Sequence, residues 1–240
     1  MNSSIKNDSP AISINKLTVG YQTKTILDNI DLNLERGTVY GIIGPSGSGK
    51  TTLFKTIVGL IKPSSGELLI KNQLSSDGFN IGYMPQINAL YEELTVMQHL
   101  QFFAAMYGIN DRKNKIQAVQ NIIRIVSLER FKNNKISNLS GGEKQRVAIA
   151  RALVQKPKLL LADELVAELD YVTSREIMSL LHDVRKRLGL TTIMVHHDID
   201  IAKNFGDKIG LLKHGMIHAE MDSNEIDVDI IKNMISSDNV

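Results

Sequence analysis

The sequence predicts an α/β fold, a mixed β-sheet core with a helical subdomain inserted into it, and three observations carry that reading. A continuous apolar run, Val39 to Ile43, leads straight into the glycine-rich GPSGSGKTT and then into a helical apolar period. A second apolar strand, LLLAD, ends in the acidic pair Asp163 and Glu164. Between Met84 and Pro157 the strand period disappears, which predicts a block of helices of about 70 residues inside an otherwise strand–helix chain.

Taken in order, residues 1–10 are polar and carry no periodic signal. Ile12 to Val19 and Ile30, Leu32 and Leu34 alternate apolar with polar residues, the mark of half-buried strands. Val39 to Ile43 reads as a strand buried on both faces. After Lys50, Leu53, Ile57, Val58 and Leu60 recur at helical spacing, and Gly59 with Pro63 stops that helix. Strands follow at Glu67 to Ile70 and Asn80 to Met84, then helices at Val96 to Tyr107 and Lys113 to Val126. The strand–helix alternation returns with LLLAD, a helix over Thr173 to Leu188, a strand over Thr191 to Val195 and a short helix over Ile199 to Phe205. Ile209 to Leu212 and Met216 to Ala219 pair as a hairpin through His214 and Gly215, and residues 221–240 form a tail with a short surface helix. The organisation expected is one domain over 12–220, with the helical subdomain at about 87–156.

The 240 residues carry 28 basic and 26 acidic groups, a balance that does not call for a nucleic-acid partner, and no cysteine, which removes disulfide and thiolate chemistry. No apolar stretch reaches the 18 residues of a membrane span, and the start lacks a signal-peptide core, so a soluble chain is expected.

Gly44, Gly49, Lys50 and Thr51 satisfy the phosphate-loop spacing, with Pro45, Ser46, Gly47 and Ser48 between and Thr52 after. The alternative is a glycine-rich turn with a solvent-facing lysine. The buried strand before it and the helix after it favour the functional reading, because loop amides and a helix N-terminus then converge on one anion-sized space. Lys50 can reach β and γ oxygens, and Thr51 offers a hydroxyl to Mg²⁺. Alone, Asp163 and Glu164 would be read as helix caps; 112 residues after a phosphate loop, Asp163 reads as a Mg²⁺ ligand through water and Glu164 as the group that polarises the attacking water. Ser140 with Glu143 forms a capping box, but a box does not require Gly141 and Gly142, which suit close approach of backbone N–H groups to an anion. Two glycine-lined helix starts can serve one phosphate group only if a second chain supplies one of them, which points to a dimer.

With phosphate loop, LSGGE and strand-end DE in this order, the chain resembles the nucleotide-binding subunit of ATP-binding cassette (ABC) transporters from about Ile12 to Ala219. The resemblance implies a P-loop NTPase fold of the ABC-ATPase type, ATP and Mg²⁺ as ligands, and cassettes paired head to tail. In that scheme Ser140, Gly141 and Gly142 contact ATP held by the partner chain. It further implies adenine stacking for Tyr21, sensing of Mg²⁺ and water for Gln86, an interface role for Asp170, and a γ-phosphate contact for His197 rather than His196. The chain departs from the family pattern at Leu165, Val166 and Glu168, where Pro, Thr or Ser, and Ala are usual, so an altered loop between Glu164 and Asp170 is expected. The segment from Tyr91 to Gly108 resembles exporter cassettes. The function implied is ATP hydrolysis coupled to transport, as an exporter subunit on the cytoplasmic membrane face, with a separate permease and a second cassette subunit as partners. The alternative is a soluble cassette protein acting on ribosomes or DNA. Seven basic and two acidic residues between Asp111 and Lys135 read as a solvated face or as an attraction to anionic headgroups; nucleic-acid binding lacks the aromatic or Arg-rich interleaving it needs.

Overall fold

The computed structural model describes residues 10–21, 24–70 and 81–236. The polar lead at 1–9, Asn80 of the expected fifth strand and the last four residues lie outside them. Nine strands are described: β1 (Ile12–Tyr21), β2 (Lys24–Leu34), β3 (Val39–Ile43), β4 (Ser65–Ile70), β5 (Ile81–Met84), β6 (Leu159–Asp163), β7 (Thr191–Val195), β8 (Lys208–Lys213) and β9 (Met216–Asp222). Seven α-helices accompany them: α1 (Lys50–Ile57), α2 (Val96–Met106), α3 (Arg112–Ile125), α4 (Gly141–Leu153), α5 (Tyr171–Leu188), α6 (Ile199–Phe205) and α7 (Val228–Ser236).

The strands form two sheets, an antiparallel one ordered β2-β1-β4 and a six-stranded one ordered β5-β6-β7-β3-β8-β9. In the larger sheet β5, β6, β7, β3 and β8 run parallel and only β9 is antiparallel. The central strands β3, β6 and β7 are short, wholly buried and mostly apolar because both their faces are covered. Along β6, Leu160 and Ala162 face one core while Leu159 and Leu161 face another, and β7 divides Met194 from Ile193 and Val195 in the same way. The second of these cores lies against the antiparallel sheet and α1; the first runs without a break from the sheet into α2, α3 and α4.

Between Met84 and Leu159 the described chain holds α2, α3, α4 and short turns, with one isolated bridge joining Thr95 to Lys135. Thr95 and Gln98 close a capping box on α2, and Asp111 caps α3 through the Asn114 amide. The helix α5 begins at Tyr171, two residues before the expected start, because Asp170 occupies its N-cap. The tail helix α7 is amphipathic rather than merely superficial. It buries Ile231 and, with Ile226, covers Ile199, Ile209 and Leu211.

Every strand of the parallel set therefore ends on the same edge of the sheet. Met84 leads to Gln86, Ile43 to the phosphate loop, Asp163 ends β6, and Val195 leads to His196 and His197. That edge is where an open α/β sheet presents a ligand.

Candidate functional site at the sheet edge

Ile43 hands the chain to residues 44–49, and Gly49 caps α1 in a left-handed conformation, φ 107°. A Cβ at Gly49 would meet Leu27 Cδ2 at 2.6 Å, whereas one at Gly47 would meet nothing within 4 Å, so the loop is packed on its inner side and open on its outer side. Lys50, Thr51 and Thr52 open α1, and among the described residues their amides have no backbone acceptor. Lys50 folds back across the loop, its Nζ donating to the Gly44 and Pro45 carbonyls at 2.9 Å each. Burial pulls its pKa below the usual lysine range, while Glu164 and Asp163 pull it back up. The Ser48 hydroxyl is buried without a hydrogen-bond partner among the described residues. Open amides, a lysine over the loop and an orphaned hydroxyl fit a polyphosphate.

Asp163 is buried at the end of β6, and burial raises its carboxyl above the usual range; a hydrogen bond from Thr51 acts against that, as do Lys50 and Lys55. The Thr51 hydroxyl and the Asp163 carboxylate are the oxygen donors a hard cation prefers. Among the described residues no cluster of three or more His, Asp or Glu is placed to hold a metal, and Thr51 with Asp163 would supply only part of a hard cation's shell, the rest coming from phosphate oxygens or water.

Glu164 takes a left-handed backbone conformation, φ 53°, which a non-glycine residue adopts at a cost of about 1–3 kcal/mol. Its amide donates to the Val195 carbonyl at 3.1 Å, and its carboxylate is held on both sides. Gln86 Nε2 donates to Oε2 at 2.8 Å, and His197 Nε2 lies 2.5 Å from Oε1. His196 turns inward instead; burial pushes its pKa down to about 4, and its Nε2 has no partner among the described residues. Of the two adjacent histidines, His197 alone reaches the carboxylate.

The second glycine-lined helix start stands apart. Ser140 and Glu143 form both bonds of the capping box on α4. With Gly141, Gly142, Arg146, Glu168 and Asp170 they line a groove of about 620 Å³ that no phosphate-loop residue shares. Gly142 has a role inside the chain as well: a Cβ there would stand 2.7 Å from Thr173 Cγ2. Asp170 accepts from the Thr173 hydroxyl at 2.6 Å and the Thr173 amide at 3.0 Å, bonds that hold its carboxyl below the usual range. Tyr21 is half-exposed at the end of β1, on the strand that pairs with β2.

Three features carried no sequence signal beyond their local pattern. Leu165 and Val166 are buried in the core, so apolar anchoring fixes the loop after Glu164 where the family places Pro and Thr or Ser. The β8–β9 turn backs the phosphate loop, with the Gly215 amide donating to Ser48 O at 3.2 Å and Gly215 O accepting from the Asp28 amide at 2.8 Å. The Gln86 segment is tied to α4 by a short Asn88–Gln145 hydrogen bond and by Arg151 donating to Ala89 O at 3.0 Å.

A glycine loop between a buried strand and a helix, with a carboxylate pair on a nearby parallel strand of a mixed sheet, defines the P-loop ATPase class. The chain belongs to the ABC transporter family, whose model matches residues 27–167, and its fold is that of the ABC ATPases. It is 34% identical over 236 residues to the spermidine/putrescine import ATP-binding protein PotA of Pasteurella multocida (strain Pm70), covering 94% of this chain and 62% of that protein. The chain thus spans less than two thirds of that relative's length. Among solved structures it is similar to the ATP-binding cassette MJ0796 in a dimeric post-hydrolysis state bound to ADP and Pi, at 33% identity and a TM-score of 0.76, covering 90% of this chain and all of that one. It is also similar to cbiO1 of Clostridium perfringens, part of the ABC transporter complex cbiONQ, at 30% identity and a TM-score of 0.81, covering 95% and 93%.

Proposed function

We propose that this chain binds ATP on the phosphate loop and hydrolyses it to ADP and phosphate to drive a membrane transporter. The observation that carries the reading is Glu164 clasped between Gln86 and His197 beside the Asp163–Thr51 pair. The open amides of Lys50, Thr51 and Thr52 and the Lys50 side chain bind and orient the phosphates, Tyr21 stacks on adenine, and Thr51, Asp163 and Gln86 would hold Mg²⁺. When bound, Mg²⁺ supplies neutralisation of phosphate charge. Glu164 accepts a hydrogen bond from the attacking water and draws its proton, with Gln86 Nε2–H fixing the carboxylate's direction, while His197, which meets Glu164 before nucleotide binds, leaves it and turns to the γ-phosphate when ATP is bound.

The groove of Ser140, Gly141, Gly142 and Asp170 serves ATP held by a second cassette, which makes the working unit a homodimer or heterodimer. The MJ0796 dimer favours this arrangement. A separate permease subunit is the other partner: no described helix is long and apolar enough to cross a membrane, and Ile87, which follows Gln86 in the chain, lies exposed, as does Tyr91 against α2. The site of action is then the cytoplasmic membrane face. Residues 12–220 act as one ATP-binding domain with 87–156 as its helical subdomain. For export, the support is the segment from Tyr91 to Gly108; the import named for PotA weighs against it. Transport assayed in vesicles of both orientations with the cognate permease decides between them.

Nucleotide titration and phosphate release test the ATPase assignment together. Lys50→Ala should lose most ATP affinity, whereas Ser140→Ala should leave the monomer's affinity within about twofold and abolish turnover. Equal loss of affinity in both variants refutes the division of labour.

A further inference from the structure

Charge is distributed unevenly in this molecule. Residues 87–156 carry eleven basic and five acidic groups, so the near-neutral whole conceals an acidic remainder. The excess has a sharp local form at the tip of the α2–α3 hairpin. Arg112, Lys113 and Lys115 fall in the first turn of α3, and among the described residues none forms an ion pair. Asp111, the one acid there, is committed to the Asn114 amide. Cations in a first turn oppose the helix dipole, so this placement works against the stability of α3. At the same tip Met106 is 65% exposed, and Tyr107, whose ring rests against Phe103, is 42% exposed.

We propose that this tip is a contact surface for anionic lipid headgroups, resting the cassette on a bilayer. The three cations meet phosphate groups while Met106 and the Tyr107 ring enter the headgroup and acyl boundary, the division of labour of an interfacial segment. Charge complementarity selects the anionic surface, and the exposed thioether selects a bilayer over a nucleic-acid backbone, which offers Met106 nothing to enter. The surface is separate from the nucleotide site, so the proposal adds to the transport reading and stands or falls independently of ATP binding.

The test is co-sedimentation of the whole chain with vesicles of phosphatidylcholine alone or with 30% phosphatidylglycerol. Binding should need phosphatidylglycerol and weaken steeply in salt. Each cation is worth about fivefold in partitioning, so Arg112→Gln with Lys113→Gln and Lys115→Gln should lower it about a hundredfold. Met106→Ser should lower it several-fold, and Arg124→Gln, on the body of α3, by no more than its single charge. ATP affinity measured on the same samples should be unchanged in all variants, which certifies the fold. Equal binding to both vesicle types, no effect of the triple change, or tighter binding to a single-stranded oligonucleotide that the triple change abolishes would overturn the proposal.

Discussion

At the residue scale the chain places two histidines where a proton is unwelcome. His99 is wholly buried among Tyr91, Phe103 and Arg151, its pKa pushed down to about 4 by burial and then by the Arg151 charge. His196 is pushed down to about 4 by burial as well. The unfolded chain titrates both near the ordinary 6.5, so between pH 6.5 and 4 it binds more protons than the folded one. Stability should therefore be complete above about pH 6.5 and fall as pH drops toward 4, by on the order of 3 kcal/mol for each ring. Urea midpoints at pH 7.5 and 5 check this. Because neither ring nitrogen of His99 has a partner among the described residues, His99→Phe should keep the packing and flatten the pH slope. A slope unchanged in that variant contradicts the assignment.

At the element scale, the β8–β9 turn decides where the phosphate loop sits. Gly215 adopts φ 77°, and a Cβ on it would stand 2.3 Å from the Ile26 carbonyl oxygen. Gly215→Ala should cost about 2 kcal/mol or more and, by displacing the bond to Ser48, raise the Kd for ATP several-fold. Thermal melts with nucleotide titration read both effects; full stability with unchanged affinity would show that the turn does not support the loop. Much of this element structure was legible in sequence, since β3 and β7 need only an apolar run between turn signals and α4 needs only Ser140 and Glu143. The support given by Gly215 was not, because His214 and Gly215 signal a turn while the contact joins residues far apart in the chain. For the same reason Leu165 and Val166 read as losses against the family pattern, although burial gives each a packing role. Sequence alone shows the two glycines of α4 only as anion contacts; the Thr173 methyl beside Gly142 is a second reason for a glycine at that position.

At the scale of the whole molecule, two glycine-lined regions of a single chain share no lining residue: the sheet edge with Lys50, Asp163 and Glu164, and the groove with Ser140, Gly142 and Asp170. On the proposed reading, two chains with ATP between them would complete both at once, so nucleotide binding and association would be linked, and whatever prolongs bound ATP would prolong the pair. Asp163→Asn should weaken Mg²⁺-dependent binding and with it the dimer, whereas Glu164→Gln keeps the reach of the side chain and loses only the charge proposed to draw a proton from water. The measurement closest to the central claim is phosphate release by Glu164→Gln beside its ATP affinity, with size-exclusion chromatography in Mg²⁺-ATP on the same preparation. The account predicts affinity within about threefold of the parent, phosphate release at least a hundredfold slower, and a long-lived dimer. Phosphate release near the parental rate, with ATP bound as tightly, would contradict it.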